Sequence, residues 1–284
     1  MKKAVQQMML GTLTKSEEDT KRVLREIRDC GYDSIEVNRY MIHPTPFLVR
    51  VLTKAAGMPS GNGGKYSWPV LLKEAGLEVL SLHTDLGSLE KDYENVVKDA
   101  ESFGTRYVVI TGMYRFDYQK EEAVKELAKR LNVAGKKLKE DGYSLLYHNH
   151  NIEFVRVNET KTAYDLLIEL TDPEYVNFEL DTYWLIDAGA DAKQMMKRLG
   201  SRMKLWHVTD RGVRLEKTSM TPIVKYDTVE LGTGTLDLEG MREIAIENGI
   251  EGMTLETHRN WINKDPLSSI KVSAKYLQKI QEDL

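Results

Sequence analysis

The feature that most constrains this chain is a short apolar run, repeated along its length, that ends on a carboxylate or an imidazole. YSLLYHNHNIEF at 143–154, FELD at 178–181, KLWHVTD at 204–210 and MTLETH at 253–258 all have this form. The run rising into His148 reads as a strand, whose side chains alternate with period two. If the strand persists through the cluster, His148 and His150 point one way and Asn149 the other. Polar groups at the end of a buried strand need partners or a job.

Helical segments separate the runs. Lys120–Asp141 is the clearest, with Leu127, Leu131, Ala134 and Leu138 at three- and four-residue spacing marking a buried stripe. A first helix begins near Glu17, behind Ser16 or Thr14 as cap, and stops at Gly31. Strands are expected at Gln6–Leu10, at Asp33–Asn38, at Glu78–Leu82 with His83 after it, and at Arg106–Ile110. Further strands are expected from Tyr143 into the histidine cluster, at Val176–Asp181, at Lys204–Val208 and at Met253–Thr257. Helices are expected at 46–57, 68–75, 88–103, 162–170, 190–199, 237–248 and 266–282. Near-continuous apolar strands such as YVVI and SLLY argue for a parallel sheet covered by helices. About eight such units in 284 residues fit one closed (β/α)8 TIM barrel over residues 1–284. An open doubly wound sheet is the alternative, but no strand-to-helix turn carries GxGxxG. PSGNGGK at 59–65 is turn-like and lacks the glycine spacing of a Walker phosphate loop.

Composition narrows the function classes. A formal charge of -4 gives no electrostatic footprint for nucleic acid. No apolar run approaches the roughly 20 residues that span a bilayer, and the start MKKAVQQMML is a poor signal peptide. Cys30 is the single cysteine, so no internal disulfide forms, and a packing role is expected for it. These features favour the cytoplasm.

The polar strand ends are Glu36, His83, His148 with His150, Asp181, His207 and Glu256. They come from different strands, and only closure of the sheet brings them to one mouth. Four unpaired charges or imidazoles there are costly without a cation. Carboxylate oxygens and imidazole nitrogens suit Mn, Co, Zn, Fe or Ni, and a carboxylate-rich set admits Mg. Each residue has a plainer alternative. Asp181 caps the next segment, with Glu179 as the rival carboxylate on the same face. His207 is a satisfied core histidine, Glu256 pairs with Arg259 or Arg211, and His148 pairs with a carboxylate instead of touching metal. His258 is ranked low, because Arg259 and Trp261 suggest a turn.

The chain resembles the sugar phosphate isomerase/epimerase superfamily, the xylose-isomerase-like TIM barrels, and within it the branch marked by an HNH-x-x-EF-type motif. The resemblance rests on HNHNIEF at 148–154, GYDSIEV at 31–37, SLHTDL at 81–86, FELDTYWLIDAGAD at 178–191, KLWHVTD at 204–210, ELGTGTLDL at 230–238 and LETH at 255–258. It covers essentially the whole chain and implies a divalent ion, often manganese, held by Glu, Asp, His and Glu. The last three correspond to Asp181, His207 and Glu256. At the first position this sequence offers His148, with Glu153 and Glu179 as other candidates. The departure deprives Glu256 of a glutamate partner, so His150, Glu256 or Glu153 becomes the candidate acid or base.

The resemblance implies proton abstraction next to a carbonyl, giving an enediolate, with Glu36, His83 and Arg211 gripping hydroxyls of a sugar-like small molecule. Trp68 or Trp184 is a candidate wall for its apolar face. Isomerisation or epimerisation of a sugar is the first expectation. Elimination by a lyase or dehydratase from a 3-keto sugar, a 3-keto glycoside or an inosose is the second. A barrel that has lost its chemistry and serves as a binding or partner subunit is the third. A homo-oligomer or a small partner subunit is compatible with the sequence. Residues 211–232 form a connection long enough to suggest a lid or a subunit contact.

Overall fold

The computed structural model describes residues 1–44, 64–113, 115–213 and 225–282. The helix expected at 46–57, most of the loop at 59–65 and the middle of the 211–232 connection lie outside them. Ten strands are described: β1 Lys2–Gln6, β2 Ser34–Asn38, β3 Glu78–Thr84, β4 Tyr107–Thr111, β5 Ser144–His148, β6 Val176–Asp181, β7 Met203–Val208, β8 Asp210–Val213, β9 Tyr226–Val229 and β10 Gly252–Leu255. Eight of them close a barrel in the order β1-β2-β3-β4-β5-β6-β7-β10. Every barrel pair is parallel, and β10 returns to β1 through Lys2–Val5 against Gly252–Leu255. This is the (β/α)8 TIM barrel read from the sequence.

Parity decides what each strand shows to either side. Leu145 and Tyr147, Phe178 and Leu180, Trp206 and Val208, and Met253 and Leu255 belong to the core packed beneath the helices. Their neighbours Leu146 and Leu205 point inward. With Ala4, Leu80, Tyr107 and Val109 they form a separate apolar cluster that plugs the barrel. Two residues further along β5 and β7 the inward positions become His148 and His207. The floor is apolar and the top is polar, so the chemistry lies at the carboxyl ends of the strands.

Several elements differ from the sequence reading. The first strand is Lys2–Gln6, and Gln7–Leu10 is a 3₁₀ turn. The Gln6 side chain caps that turn by accepting from Met8 N at 3.3 Å, and the turn buries Met9 and Leu10. The helix expected at 88–103 is two helices, Leu86–Lys91 and Tyr93–Phe103. It breaks at Asp92, whose carboxylate takes Arg39 Nη2 at 2.7 Å and Asn95 Nδ2 at 2.6 Å. An extra short helix, Thr182–Asp187, follows β6 directly, and Ala192–Leu199 comes after it. The described ends of the connection after β7, β8 and β9, pair as an antiparallel ribbon, which the reading of 211–232 as a lid or subunit contact did not specify. Asp210 anchors it by accepting from Gly232 N at 3.1 Å, Gly234 N at 2.9 Å and Leu236 N at 3.1 Å. Trp68 is packed in the outer core and does not line the cavity at the strand ends. Cys30 packs against that same core, and no helix is long and apolar enough to cross a membrane among the described residues.

Candidate metal centre

The inward residues stack in two polar layers above the apolar plug. The upper layer holds His148 at the end of β5, Asp181 at the end of β6, His207 in β7 and Glu256 just past β10. One ligand atom from each lies within 4.8 Å of the others, and all four residues are buried. His207 Nδ1 stands 2.9 Å from Glu256 Oε2 and 3.8 Å from Asp181 Oδ2. The rings of His148 and His207 meet edge to face at 4.5 Å between centroids.

The lower layer holds Glu36, His83 and Glu179, grouped around the other nitrogen of His207. One oxygen, Glu179 Oε2, has three imidazoles around it. His83 Nε2 lies at 2.9 Å, His148 Nδ1 at 3.1 Å and His207 Nε2 at 3.2 Å. Glu36 Oε2 contacts His207 Nε2 and accepts from Gln6 Nε2 at 3.0 Å. Its Oε1 accepts from Ser81 Oγ and lies 3.0 Å from His83 Nε2.

Charge in this pocket is set by burial against close partners. Burial pushes the Asp181 carboxyl up to about 7, against the pull of His207. Burial also pushes Glu179 up to about 7, and the neighbouring Glu36 carboxylate adds to it. Burial works against charge on His83, but Glu36 and Glu179 outweigh it and hold the ring at about 10. Burial opposes ionisation of Glu256 too, yet His258 and His207 keep it well below the usual carboxylate range. Burial, then the flanking His207 and His83, drives His148 far below its ordinary value, toward the neutral form that binds metal.

The donor set passes the tests a divalent ion imposes. Two imidazole nitrogens and two carboxylate oxygens converge at a spacing that one cation bridges. Among the described residues, histidines are the only potential cations that touch Asp181 or Glu256. Several buried polar atoms near this mouth have no hydrogen-bond partner, among them Tyr40 Oη, Trp184 Nε1 and His258 Nε2. Native interiors leave few such atoms unless a ligand, ion or water completes them. Beside His148 and Glu256 runs a cavity of about 900 Å³ that reaches down to His83 of the lower layer and is also lined by Asn38, Tyr40, Thr111, His150 and His258.

A family model for the xylose isomerase-like TIM barrel matches residues 24–280. The chain belongs to the xylose isomerase-like TIM barrel family. It is 32% identical to an inosose dehydratase of Clostridium tetani over 56% of this chain, and the match spans only 55% of that relative's length. It is 24% identical to an inosose dehydratase of Mesomycoplasma hyopneumoniae over 91% of this chain and 88% of the relative. Its fold is similar to that of a sugar phosphate isomerase/epimerase from Parabacteroides distasonis, with a TM-score of 0.76 and 22% identity over 98% and 93% of the two chains.

Within this xylose isomerase-like barrel the remaining candidates fall in different places. β5 ends at His148, but His150 stays on the same side, its ring 5.0 Å from that of His148. Burial, reinforced by His148, pushes His150 down to about 4, so it is neutral at neutral pH. Asn149 turns away and ties β5 to β6, donating to Asp181 O at 3.1 Å and accepting from Asp181 N at 3.0 Å. Asp181 both caps and converges. Its Oδ1 accepts from Trp184 N at 3.0 Å, while Oδ2 faces His207.

Three expectations need correction. Glu153 is fully buried, with Oε1 taking Tyr147 Oη at 3.0 Å and Oε2 taking the backbone N of His150 at 2.9 Å. It shapes the turn that presents His150 and does not join the four donors. Glu36 lies under the mouth, bonded to His207, rather than at a position that grips hydroxyls. Arg211 belongs to β8, with its guanidinium over the Tyr226 ring at 4.5 Å and 3.9 Å from Asp187. The cavity lining does not include it. Arg259 pairs with Asp227 at 2.9 Å and leaves Glu256 to the histidines. His258 stays outside the four donors but lines the cavity beside Trp184, with ring centroids 5.3 Å apart. The period-two signal runs out at Leu255, so only the LETH tetrapeptide hinted at it. Tyr40 left no signal, because its place depends on the chain leaving β2.

Proposed function

We propose that this protein is a metal-dependent dehydratase that removes water from a keto sugar or inosose. The reading rests on one juxtaposition. Four donors meet at the strand ends of a chain that is similar, over 91% of its length, to a protein named inosose dehydratase. The chain is assigned to the branch marked by HNH-x-x-EF, and manganese is the proposed ion. His148, Asp181, His207 and Glu256 would hold it, and when bound it supplies a fixed positive charge that stabilises negative charge developing on a substrate carbonyl oxygen.

The chain's own groups then handle protons. His150, neutral and next to the donors, takes the proton from the carbon beside the carbonyl. The electron pair left behind forms the carbon–carbon double bond as the β-hydroxyl departs. A proton from His258, whose ring packs beside that of Trp184, completes the leaving water. Trp184 packs against both imidazoles, with ring centroids 6.0 Å from His150 and 5.3 Å from His258, and orients them beside the cavity.

The test is product analysis on the manganese-loaded protein with an inosose or a 3-keto sugar. Loss of water with growth of an ultraviolet-absorbing enone is expected. A product of unchanged mass, isomerised or epimerised, would overturn the dehydratase reading, and no turnover would favour a binding role. His150→Ala is expected to slow turnover by roughly 10²–10⁴-fold, the usual share of a general base, with ion affinity nearly unchanged. An unaltered rate removes His150 from that role.

A further inference from the structure

We propose that Glu36, His83 and Glu179 are positioning residues that fix which nitrogen of His207 and His148 faces the ion, and that the two overlapping clusters hold one ion rather than two. This rests on the metal-centre reading above. The two clusters share a single imidazole. His207 Nε2 faces Glu36 and Glu179, and Nδ1 faces Glu256 and Asp181. A neutral imidazole has one lone pair and one N–H. It cannot serve ions on both sides without losing its last ring proton. Glu36 accepts the N–H from Nε2, which turns the Nδ1 lone pair toward the upper donors.

The same logic applies to His148. Its Nδ1 lies 3.1 Å from Glu179 Oε2, so the N–H points down and the Nε2 lone pair is left for the mouth. Carboxylates behind ligating histidines set the tautomer, orient the ring and raise its basicity. Here both histidines have one, supplied from β2 and from β6 two residues before Asp181. These two carboxylates are fully buried and would repel each other. His83 Nε2 lies within ion-pair distance of both, at 3.0 and 2.9 Å, aligned as a hydrogen bond with neither. That geometry suits a group held between two charges better than a ligand aimed at a third atom.

The decisive measurement is divalent-ion binding to the full chain, using Mn²⁺ by calorimetry and Co²⁺ by its visible spectrum. Wild type is expected to take one equivalent of ion. Glu36→Gln and Glu179→Gln should still take one, roughly 10–100-fold more weakly, with an altered Co²⁺ spectrum, and each should melt lower than wild type without ion because it breaks a buried ion pair with His83. Two equivalents in wild type, falling to one in Glu36→Gln, would make the lower cluster a second ion site and overturn the proposal. Unchanged affinity in both variants would overturn the positioning role while leaving the metal centre standing. No ion bound by wild type would remove the metal centre itself, and this proposal with it. The wild-type stoichiometry discriminates even where a variant does not fold.

Discussion

Asp181→Asn is expected to abolish tight divalent-ion binding while leaving the ion-free barrel as stable as wild type. The two oxygens of Asp181 do separate jobs, which is why this variant is informative. Oδ1 caps the helix Thr182–Asp187, and Oδ2 faces His207 in the upper cluster. Asparagine caps a helix about as well as aspartate, but it brings no negative charge to a cation. Affinity should therefore fall further than the roughly 10–100-fold that loss of an outer partner costs, and turnover should fall with it. Asp181→Ala removes both jobs, and its ion-free form should lose about 1 kcal/mol as well. Calorimetry with Mn²⁺, beside denaturant unfolding of the ion-free proteins, separates the two effects. Retention of a full equivalent at wild-type affinity by either variant would show that Asp181 is no ligand.

The largest effect on stability is expected at the opposite end of the barrel. Gly135 lies inside the helix Glu121–Glu140, where it faces the chain just before β6. A Cβ there would lie 2.3 Å from Tyr175 O and 2.9 Å from its carbonyl carbon. Alanine in a helix interior ordinarily gains about 0.5–1 kcal/mol over glycine. The obstacle here is backbone, which cannot rotate aside, so the helix must lift off the barrel wall. Forcing extra volume into a packed interior costs about 1–3 kcal/mol or more. Gly135→Ala is therefore expected to lose about 2 kcal/mol net, a drop of roughly 4–8 °C in melting temperature. Ion affinity should be unaffected, because the lesion lies below the apolar plug. A gain in stability would mean that the helix shifts at little cost.

The sequence by itself determined the barrel and the side each polar strand end would face. Period-two alternation is local, so YSLLYH, FELD, KLWH and MTLE each told which residues share a face. Closure of eight such strands then had to gather His148, Asp181, His207 and Glu256 within reach of one another, as the structure shows. The depth of each residue in the barrel was not legible. Depth depends on how far each strand is staggered against its neighbours, and that belongs to the closed sheet rather than to any one segment. Glu179 and Asp181 share a face but lie about 6.6 Å apart along their strand, at some 3.3 Å per residue. One therefore backs the histidines while the other joins the upper cluster. Glu36 sank to the lower layer for the same reason, and Glu153 was taken by Tyr147 and the turn after β5. Sequence settled which side chains face inward, because alternation needs only neighbours. Only the tertiary structure decided which of them stand at the mouth, because that is fixed by contacts among strands far apart in the chain.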